Sequence, residues 1–121
     1  IPGVARFQIL LARLGRADDA YAYGRELLAG VARDDIGSLA ILAWTVVDPD
    51  QRLPRRDLAF AGACAQRAVD LSQRRNATLL DTLARVHHAQ GELDQAIAIE
   101  TEAVRLDAFF AGVLADYRRE R

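Results

Sequence analysis

The residues of this chain best suited to metal binding or nucleophilic chemistry are two adjacent histidines, His87 and His88, and a single cysteine, Cys64. Adjacent side chains of a helix point about 100 degrees apart, so the histidines cannot hold one metal ion together, and no acidic residue completes an H-E-x-x-H arrangement. Cys64 lies within AGACAQRAV, with no His or Lys nearby in sequence to lower its pKa. We therefore predict structural roles for all three.

Two charged patterns also have spacings that could do chemistry. Asp18 and Asp19 are adjacent acids, but they fall in the first turn of a predicted helix, where carboxylates complement the helix dipole. Asp81 and Arg85 are four residues apart on one helical face. That spacing predicts either a solvated salt bridge contributing under about 0.5 kcal/mol or part of a polar recognition strip, and we favour the salt bridge for Asp81 and recognition for Arg85.

Motifs of the common enzyme classes are absent from the sequence. There is no G-x-S-x-G, no phosphate-binding loop and no Cys/His pair at a workable spacing. Only the stretch 48–54 could form a pocket as an insertion. We expect no enzymatic activity, no catalytic residue, no metal and no cofactor.

Length and composition limit the number of domains and the kinds of partner. The 121 residues suffice for one domain, 1–121, and are too few for two ordinary ones. The formal net charge is −1 and every positive side chain is an arginine, so there is no basic field for nucleic acid and no polybasic membrane anchor. The lone cysteine excludes a disulfide within the chain.

The hydrophobic stretches bear on localisation. The longest uncharged apolar stretch, 36–47, is shorter than the roughly 20 residues that span a bilayer, and no secretory signal pattern is present. We expect a soluble domain, in the cytoplasm rather than the periplasm. The sequence starts at Ile1 without an initiator methionine, which is typical of a segment of a longer protein.

Apolar residues at three- and four-residue spacing predict seven helices. Their ranges are 4–14, 16–30, 36–47, 56–72, 76–90, 92–106 and 107–117, and 48–54 is the longest loop. The predicted caps are Asp34 or Asp35 for the third helix, Asn76 for the fifth and Asp107 for the seventh, with Gly15 and Gly91 ending the first and fifth. No segment alternates with period two, so the chain is predicted to be all-α.

Short internal matches indicate a repeat. Gly15-x-x-Asp18-x-Ala20 recurs as Gly91-x-x-Asp94-x-Ala96. Aligning the small residues places Ala20, Ala61 and Ala96 in one column, 41 and 35 residues apart. The period is about 34 residues, with the extra ones in the loop 48–54.

This pattern resembles the tetratricopeptide repeat family. The family's first-helix positions are occupied by Val4, Phe7 and Gln8, then Leu39, Leu42 and Ala43, then Leu80, Leu83 and Ala84; the second-helix positions by Ala20 with Leu27, Ala61 with Ala68, and Ala96 with Ala103. Gly24, Ala65 and Glu100 replace the family's second-helix aromatic, and Ala108 its exit proline. The resemblance implies a right-handed α-solenoid of about three helix hairpins, 2–34, 36–73 with loop 48–55, and 76–107, with a capping helix 108–119.

A finer resemblance concerns the strings YAYGRELL, LAILAWTVVDP, RRDLAFA and LLDTLARVHHAQGELDQAI. These strings are similar to the tetratricopeptide segment that follows a thioredoxin-like domain in some bacterial redox proteins. The resemblance implies a bacterial parent protein of that kind and an intramolecular contact with a thioredoxin-like domain.

In known relatives the first helices line a concave groove that binds a peptide or a partner domain. By resemblance, the groove residues are Arg6, Ile9, Arg13, Ile41, Trp44, Val47, Asp81, Thr82, Arg85 and His88. Trp44 is either a binding anchor or a cover for the core edge beside the loop. The expected function is a protein-interaction scaffold.

The alternative is a structural or oligomerisation segment of a larger redox protein with no ligand of its own. Apolar residues beyond the needs of the core would then mark a fixed contact. The candidates for that contact are Ile9, Ile41, Val47 and Phe110.

Overall fold

A computed structural model describes residues 2–121, and these form helices and loops without a strand. The elements are α1 (Pro2–Gln8), a π-helical segment (Ile9–Arg13), α2 (Ala17–Ala29), α3 (Ile36–Val47), α4 (Leu58–Leu71), α5 (Ala77–Ala89), α6 (Leu93–Leu106), a 3-10 turn (Ala108–Phe110) and α7 (Ala111–Arg119). The all-α prediction is confirmed. Among residues 2–121, no helix combines the length and apolar character that crossing a membrane requires.

Two of the predicted helix starts have the expected capping chemistry. Oδ1 of Asn76 accepts a hydrogen bond from the backbone N–H of Leu79 at 3.1 Å, which begins α5. The carboxylate of Asp107 accepts from the N–H of Phe109 at 2.9 Å, which begins the 3-10 turn. Gly91, with φ at +80°, provides the left-handed residue after α5. These short polar side chains satisfy N–H groups that lack a partner inside the helix.

Two other helices differ from the prediction at their N-termini, α4 in its start and α3 in its capping. α4 begins two residues later than expected because Asp57 caps it, accepting from the N–H of Phe60 at 3.0 Å. Asp35 occupies the cap position of α3, but its carboxylate accepts from the hydroxyl of Ser38 at 2.8 Å and from no backbone N–H. The helix bounds depend on such local side-chain contacts, which propensity alone does not decide.

The first helix was predicted to be regular over 4–14, but it widens into the π-helical segment after Gln8. There the N–H of Leu14 donates to the carbonyl of Ile9 at 2.9 Å, a five-residue spacing. The wider turn changes the angular position of the residues that follow it. Leu11, within this segment, is buried, whereas Leu14, which follows it, is exposed.

Helices that are consecutive in sequence pack together, as α1 with α2, α3 with α4, and α5 with α6. Contacts also join α1 to α3 and α3 to α5, so these three helices lie side by side. The aligned small residues Ala20, Ala61 and Ala96 are all completely buried. A larger side chain at these positions would push neighbouring helices apart.

Gly24 of α2 lies over a cluster of three aromatic rings. Phe7, Tyr21 and Phe60 have ring centroids 5.5 to 6.0 Å apart. Phe60, from α4, occupies the space that a large side chain at position 24 would otherwise fill. An aromatic ring from another helix thus fills the space beside Gly24.

The predicted loop extends over 48–57 and is held by one arginine. The guanidinium of Arg56 donates to the backbone carbonyls of Val46 at 2.6 Å and Asp48 at 2.9 Å, and also to that of Gln51. The hydroxyl of Tyr21 donates to the carbonyl of Arg55 at 2.9 Å. The loop is therefore tied to α2 through the carbonyl of Arg55 and to α3 through the side chain of Arg56.

Replacing Gly24 with alanine tests the aromatic packing. A Cβ at position 24 would lie 2.6 Å from Cζ of Phe60 and 3.0 Å from Cε1 of Phe7, so the rings would have to move. Overpacking costs about 1 to 3 kcal/mol, whereas alanine is better than glycine within a helix by up to about 1 kcal/mol. We expect Gly24→Ala to lower the free energy of unfolding, measured in urea.

Gly112→Ala in α7 is the matched control, because a Cβ there would meet no heavy atom within 4 Å. It is expected to be neutral or to stabilise by up to about 1 kcal/mol. A Gly24→Ala protein as stable as Gly112→Ala would contradict this account of the packing.

Candidate functional site

The face shared by α1, α3 and α5 contains two adjoining cavities, which together form the groove. The larger has a volume of about 550 Å³ and the smaller about 310 Å³, and Gln8, Trp44 and Thr45 line both. The other lining residues of the larger cavity are Ala40, Ile41, Thr78, Leu79, Asp81 and Thr82; those of the smaller are Ala5, Ile9, Ala12, Arg13, Asp48 and Gln51. The structure thus brings Ile9, Arg13, Ile41, Trp44, Asp81 and Thr82 together on one surface.

Of the residues expected in the groove, Arg6, Val47 and His88 lie elsewhere, and Arg85 contacts Trp44 without lining either cavity. On α1 the groove side carries Ala5 and Gln8, and Arg6, about 100 degrees away, places its Cζ 4.9 Å from the ring centroid of Tyr23 on α2. Val47, three residues after Trp44, turns into the core and is buried. These corrections follow from helix phase, which the sequence alone gives only to within a residue or so.

His88 is the third misplaced residue, and it faces α7 instead of the groove. Its ring stacks on that of Tyr117, with centroids 4.6 Å apart and planes at 15°. Nε2 of His88 lies 2.9 Å from a carboxylate oxygen of Glu120. His88 therefore joins α5 to α7.

Trp44 stands at the rim of the groove, 37% exposed, where it borders both cavities. Cζ of Arg85 lies 5.3 Å from the centre of its ring, within the range of a cation–π interaction. Nε of Arg85 donates to Oδ2 of Asp81 at 2.9 Å. Arg85 thus links an aromatic side chain of α3 to a carboxylate of α5.

The Asp81–Arg85 pair was predicted to be a salt bridge exposed to solvent, and the predicted exposure is wrong. The side chain of Asp81 is only 7% exposed and that of Arg85 28%. Ion pairs removed from water interact more strongly, but each ion must also be compensated for lost hydration. Asp81 is therefore a buried charge whose second oxygen, Oδ1, needs a partner.

Glu100 of α6 stands where the tetratricopeptide pattern has an aromatic residue, and it is completely buried. Among the described residues, neither of its oxygens nor Oδ1 of Asp81 receives a hydrogen bond from a donor side chain or N–H group. Both groups are acceptors when ionised, so a proton on Glu100 supplies the missing donor, directed at Asp81.

The ionisation of Glu100 follows from this environment. Burial raises its pKa to about 8, aided by the charge of Asp81 and the hydrogen bond with it, while the guanidinium of Arg85 acts in the opposite direction. Glu100 is therefore predominantly a neutral acid at pH 7. A group ionised in solution is held uncharged inside the α5–α6 hairpin.

Tyr117 of α7 closes the far side of this cluster. Its hydroxyl is buried without a hydrogen-bond partner in the described part of the chain, and burial raises its pKa to about 12. The residues Asp81, Arg85, Glu100 and Tyr117 are called the acid cluster. It lies behind the groove, and Asp81 belongs to both.

The other residues considered for chemistry have structural partners. Nδ1 of His87 lies 2.9 Å from a carboxylate oxygen of Glu92, so the two adjacent histidines have different partners. Cys64 is fully buried, and burial raises the pKa of its thiol to about 12, as expected for a structural cysteine. Arg55 pairs with Asp18 at 2.6 Å. Within residues 2–121, no three His, Cys, Asp or Glu side chains form a group that could hold a metal.

The acid cluster is the feature that sequence reasoning missed. The available signal was Glu100 at a position where the repeat pattern has an aromatic, within the apolar run AIAIETEAV. A charged residue on the buried side of a helix requires a partner. The partner of Glu100 is Asp81, which the four-residue spacing in the sequence had paired with Arg85 alone.

Comparison with models of known protein families gives no match, and no curated protein matches the chain. The groove and the acid cluster are therefore interpreted from their own geometry.

The raised pKa of Glu100 predicts how stability depends on pH. The folded chain holds this proton up to about pH 8, while the unfolded chain releases it near the ordinary value of 4.5. Folding takes up a proton between these values, so the free energy of unfolding falls as pH rises, by up to about 1.4 kcal/mol per pH unit from this group. Above about pH 8 this contribution becomes constant.

Glu100→Gln keeps the shape and a donor toward Asp81 but cannot ionise, so it should remove this slope. Urea unfolding of both proteins at several values between about pH 5 and about pH 8 gives the difference in stability. We expect that difference to grow in favour of Glu100→Gln as pH rises. A difference that stays constant across this range would contradict a neutral Glu100.

Proposed function

We propose that this chain is a protein-interaction module built from three tetratricopeptide-like hairpins, α1–α2, α3–α4 and α5–α6, stacked as a right-handed α-solenoid and capped by α7. The pairing of consecutive helices and the contacts of α1 with α3 and α3 with α5 support this arrangement. Each hairpin has one apolar face too large to remain exposed, which its neighbours cover. The binding surface is the groove.

The observation that carries the proposal is Trp44 at the meeting point of the two cavities. Tryptophan and arginine dominate the binding energy of many interfaces, and here Arg85 lies against the Trp44 ring. Ile9 and Ile41 are likewise exposed on this surface. A row of exposed apolar side chains beside an arginine is typical of a surface that binds another protein.

The partner we propose is a peptide or an extended segment of a partner domain. A cavity of about 550 Å³ is large enough for an apolar side chain to enter beside Ile41 and Trp44. Arg13, exposed at the smaller cavity, offers a cation to an acidic residue further along the segment. The groove thus favours a segment that combines an apolar anchor with an acid.

The polar side chains of the groove support binding over catalysis. The hydroxyls of Thr45 and Thr82 donate to carbonyls of their own helices, Ile41 at 2.7 Å and Thr78 at 3.1 Å. Nε2 of Gln8 donates to the hydroxyl of Thr45 at 3.3 Å. Neither hydroxyl is directed at a base that could activate it as a nucleophile, so we propose no enzymatic activity for this surface.

A structural segment of a larger redox protein remains the second candidate, and one observation favours it. Phe109 is 82% exposed and Leu106 is also exposed, at the end of α6. Phe110, expected at such a contact, is instead buried against the core. Under this alternative, Leu106 and Phe109 would form the fixed contact, with a thioredoxin-like domain or a second copy of the chain.

A peptide-display selection against the whole chain tests the groove. Peptides enriched on the wild type are measured by calorimetry on Trp44→Ala, with Phe109→Ala as a control outside the groove. We expect Trp44→Ala to weaken binding by at least about 10-fold, since an interface tryptophan often contributes 2 kcal/mol or more. Phe109→Ala should bind as the wild type does.

The opposite pattern would overturn the proposal. Binding that survives Trp44→Ala and is lost in Phe109→Ala would move the contact to the end of α6. Self-association measured by sedimentation, and abolished by Phe109→Ala, would support the structural alternative.

A further inference from the structure

We propose that Asp81 and Glu100 share one proton inside the α5–α6 hairpin, and that loss of this proton alters the groove by drawing Arg85 away from Trp44. The groove would then be sensitive to pH through a residue that no ligand touches. Only the consequence for binding rests on the proposed function. The proton site itself is a property of the chain alone.

Asp81 connects the two regions because its side chain belongs to both. It lines the larger cavity, and its Oδ2 accepts the Nε–H of Arg85 at 2.9 Å. Its other oxygen, Oδ1, is buried without a partner, as are both oxygens of Glu100, and the charge of Asp81 acts on Glu100. Any change in the charge of Glu100 therefore acts first on Asp81 and Arg85.

The groups around Glu100 come from every element packed against α6. α5 presents Asp81 and Arg85, and α7 presents the hydroxyl of Tyr117, with Glu120 and His88 beyond it. The 3-10 turn Ala108–Phe110 carries no titratable side chain. Arg85 is thus the cation of the cluster among the residues that the structure describes.

With the proton in place, the cluster is balanced. Glu100 is neutral and donates its O–H to Asp81, and the negative charge of Asp81 is matched by Arg85. The Nη groups of Arg85 make no hydrogen bond to the described residues, and the guanidinium lies over Trp44. Arg85 is held by one bond to Asp81 and by the indole ring.

Without the proton, which passes to solvent, two buried carboxylates face one guanidinium. A second negative charge in this environment is costly unless a donor reaches it, and the Nη groups of Arg85 are the available donors. Turning them toward Glu100 removes the cation from the Trp44 ring. The indole, at the rim of the groove, then loses its charged neighbour.

The raised pKa of Glu100, about 8, places this change just above neutral pH. The pKa of the Tyr117 hydroxyl is raised to about 12, so this group stays protonated throughout. The change is therefore assigned to the carboxyl pair.

Trp44 is the only tryptophan of the chain, so its fluorescence reports directly on this contact. Emission is followed from about pH 6 to about pH 9, below the ordinary tyrosine pKa of about 10. We expect a reversible transition with a midpoint near pH 8 in the wild type and none in Glu100→Gln. Glu102→Gln, the same substitution at a more exposed position of α6, should keep the transition.

Two results would overturn the proposal. One is a wild-type emission that does not change between these pH values; the other is the same transition in Glu100→Gln. A second measurement needs no variant: the side-chain carboxyl ¹³C resonances of wild-type glutamates should include one that titrates near pH 8. If all of them titrate near the ordinary value of about 4.3, the shared proton does not exist.

The binding consequence is tested separately with a peptide selected on the wild type. Its Kd should rise several-fold between about pH 7 and about pH 9 on the wild type and stay constant on Glu100→Gln. A fluorescence transition without any peptide that binds would contradict the proposed function but not the proton site. Peptide binding without a fluorescence transition would contradict the proton site but not the proposed function.

Discussion

Close approach of helices at small residues is the constraint on which the remaining structure depends. Ala20, Ala61 and Ala96 are completely buried where neighbouring helices meet, so those helices can pack over their whole length. Such contacts leave little room for adjustment, because protein interiors are packed as densely as organic crystals. Every large side chain of the core must then find its space between these contacts.

The two departures from the repeat pattern in α2 and α6 show two ways of meeting that constraint. At Gly24 the missing side chain is replaced by the Phe60 ring from α4, which is an apolar solution. At Glu100 the space is filled by a carboxyl group, which burial disfavours in its charged form. The first arrangement stabilises the fold through aromatic contacts, and the second lowers stability as pH rises toward 8.

Much of the fold could be predicted because it depends on local chemistry. The helices and their caps at Asn76 and Asp107 follow from residue type and three- to four-residue spacing, as does the burial of the small-residue column. The candidate site was harder to predict because it depends on the angular position of each side chain around its helix axis. Helix phase, which spacing gives only to within about one residue, decides that Arg6 faces Tyr23 and His88 faces Tyr117.

The acid cluster could not be predicted for a different reason: its partners come from three helices. Asp81 and Arg85 share a helix and were paired by spacing, but Glu100 and Tyr117 approach them only after α6 and α7 have packed. A hydrophobic residue at position 100 would fill the space without burying an acid, but it would leave Oδ1 of Asp81 without a donor. The requirement for an acid at position 100 is therefore created by Asp81, whose side chain also lines the larger cavity of the groove.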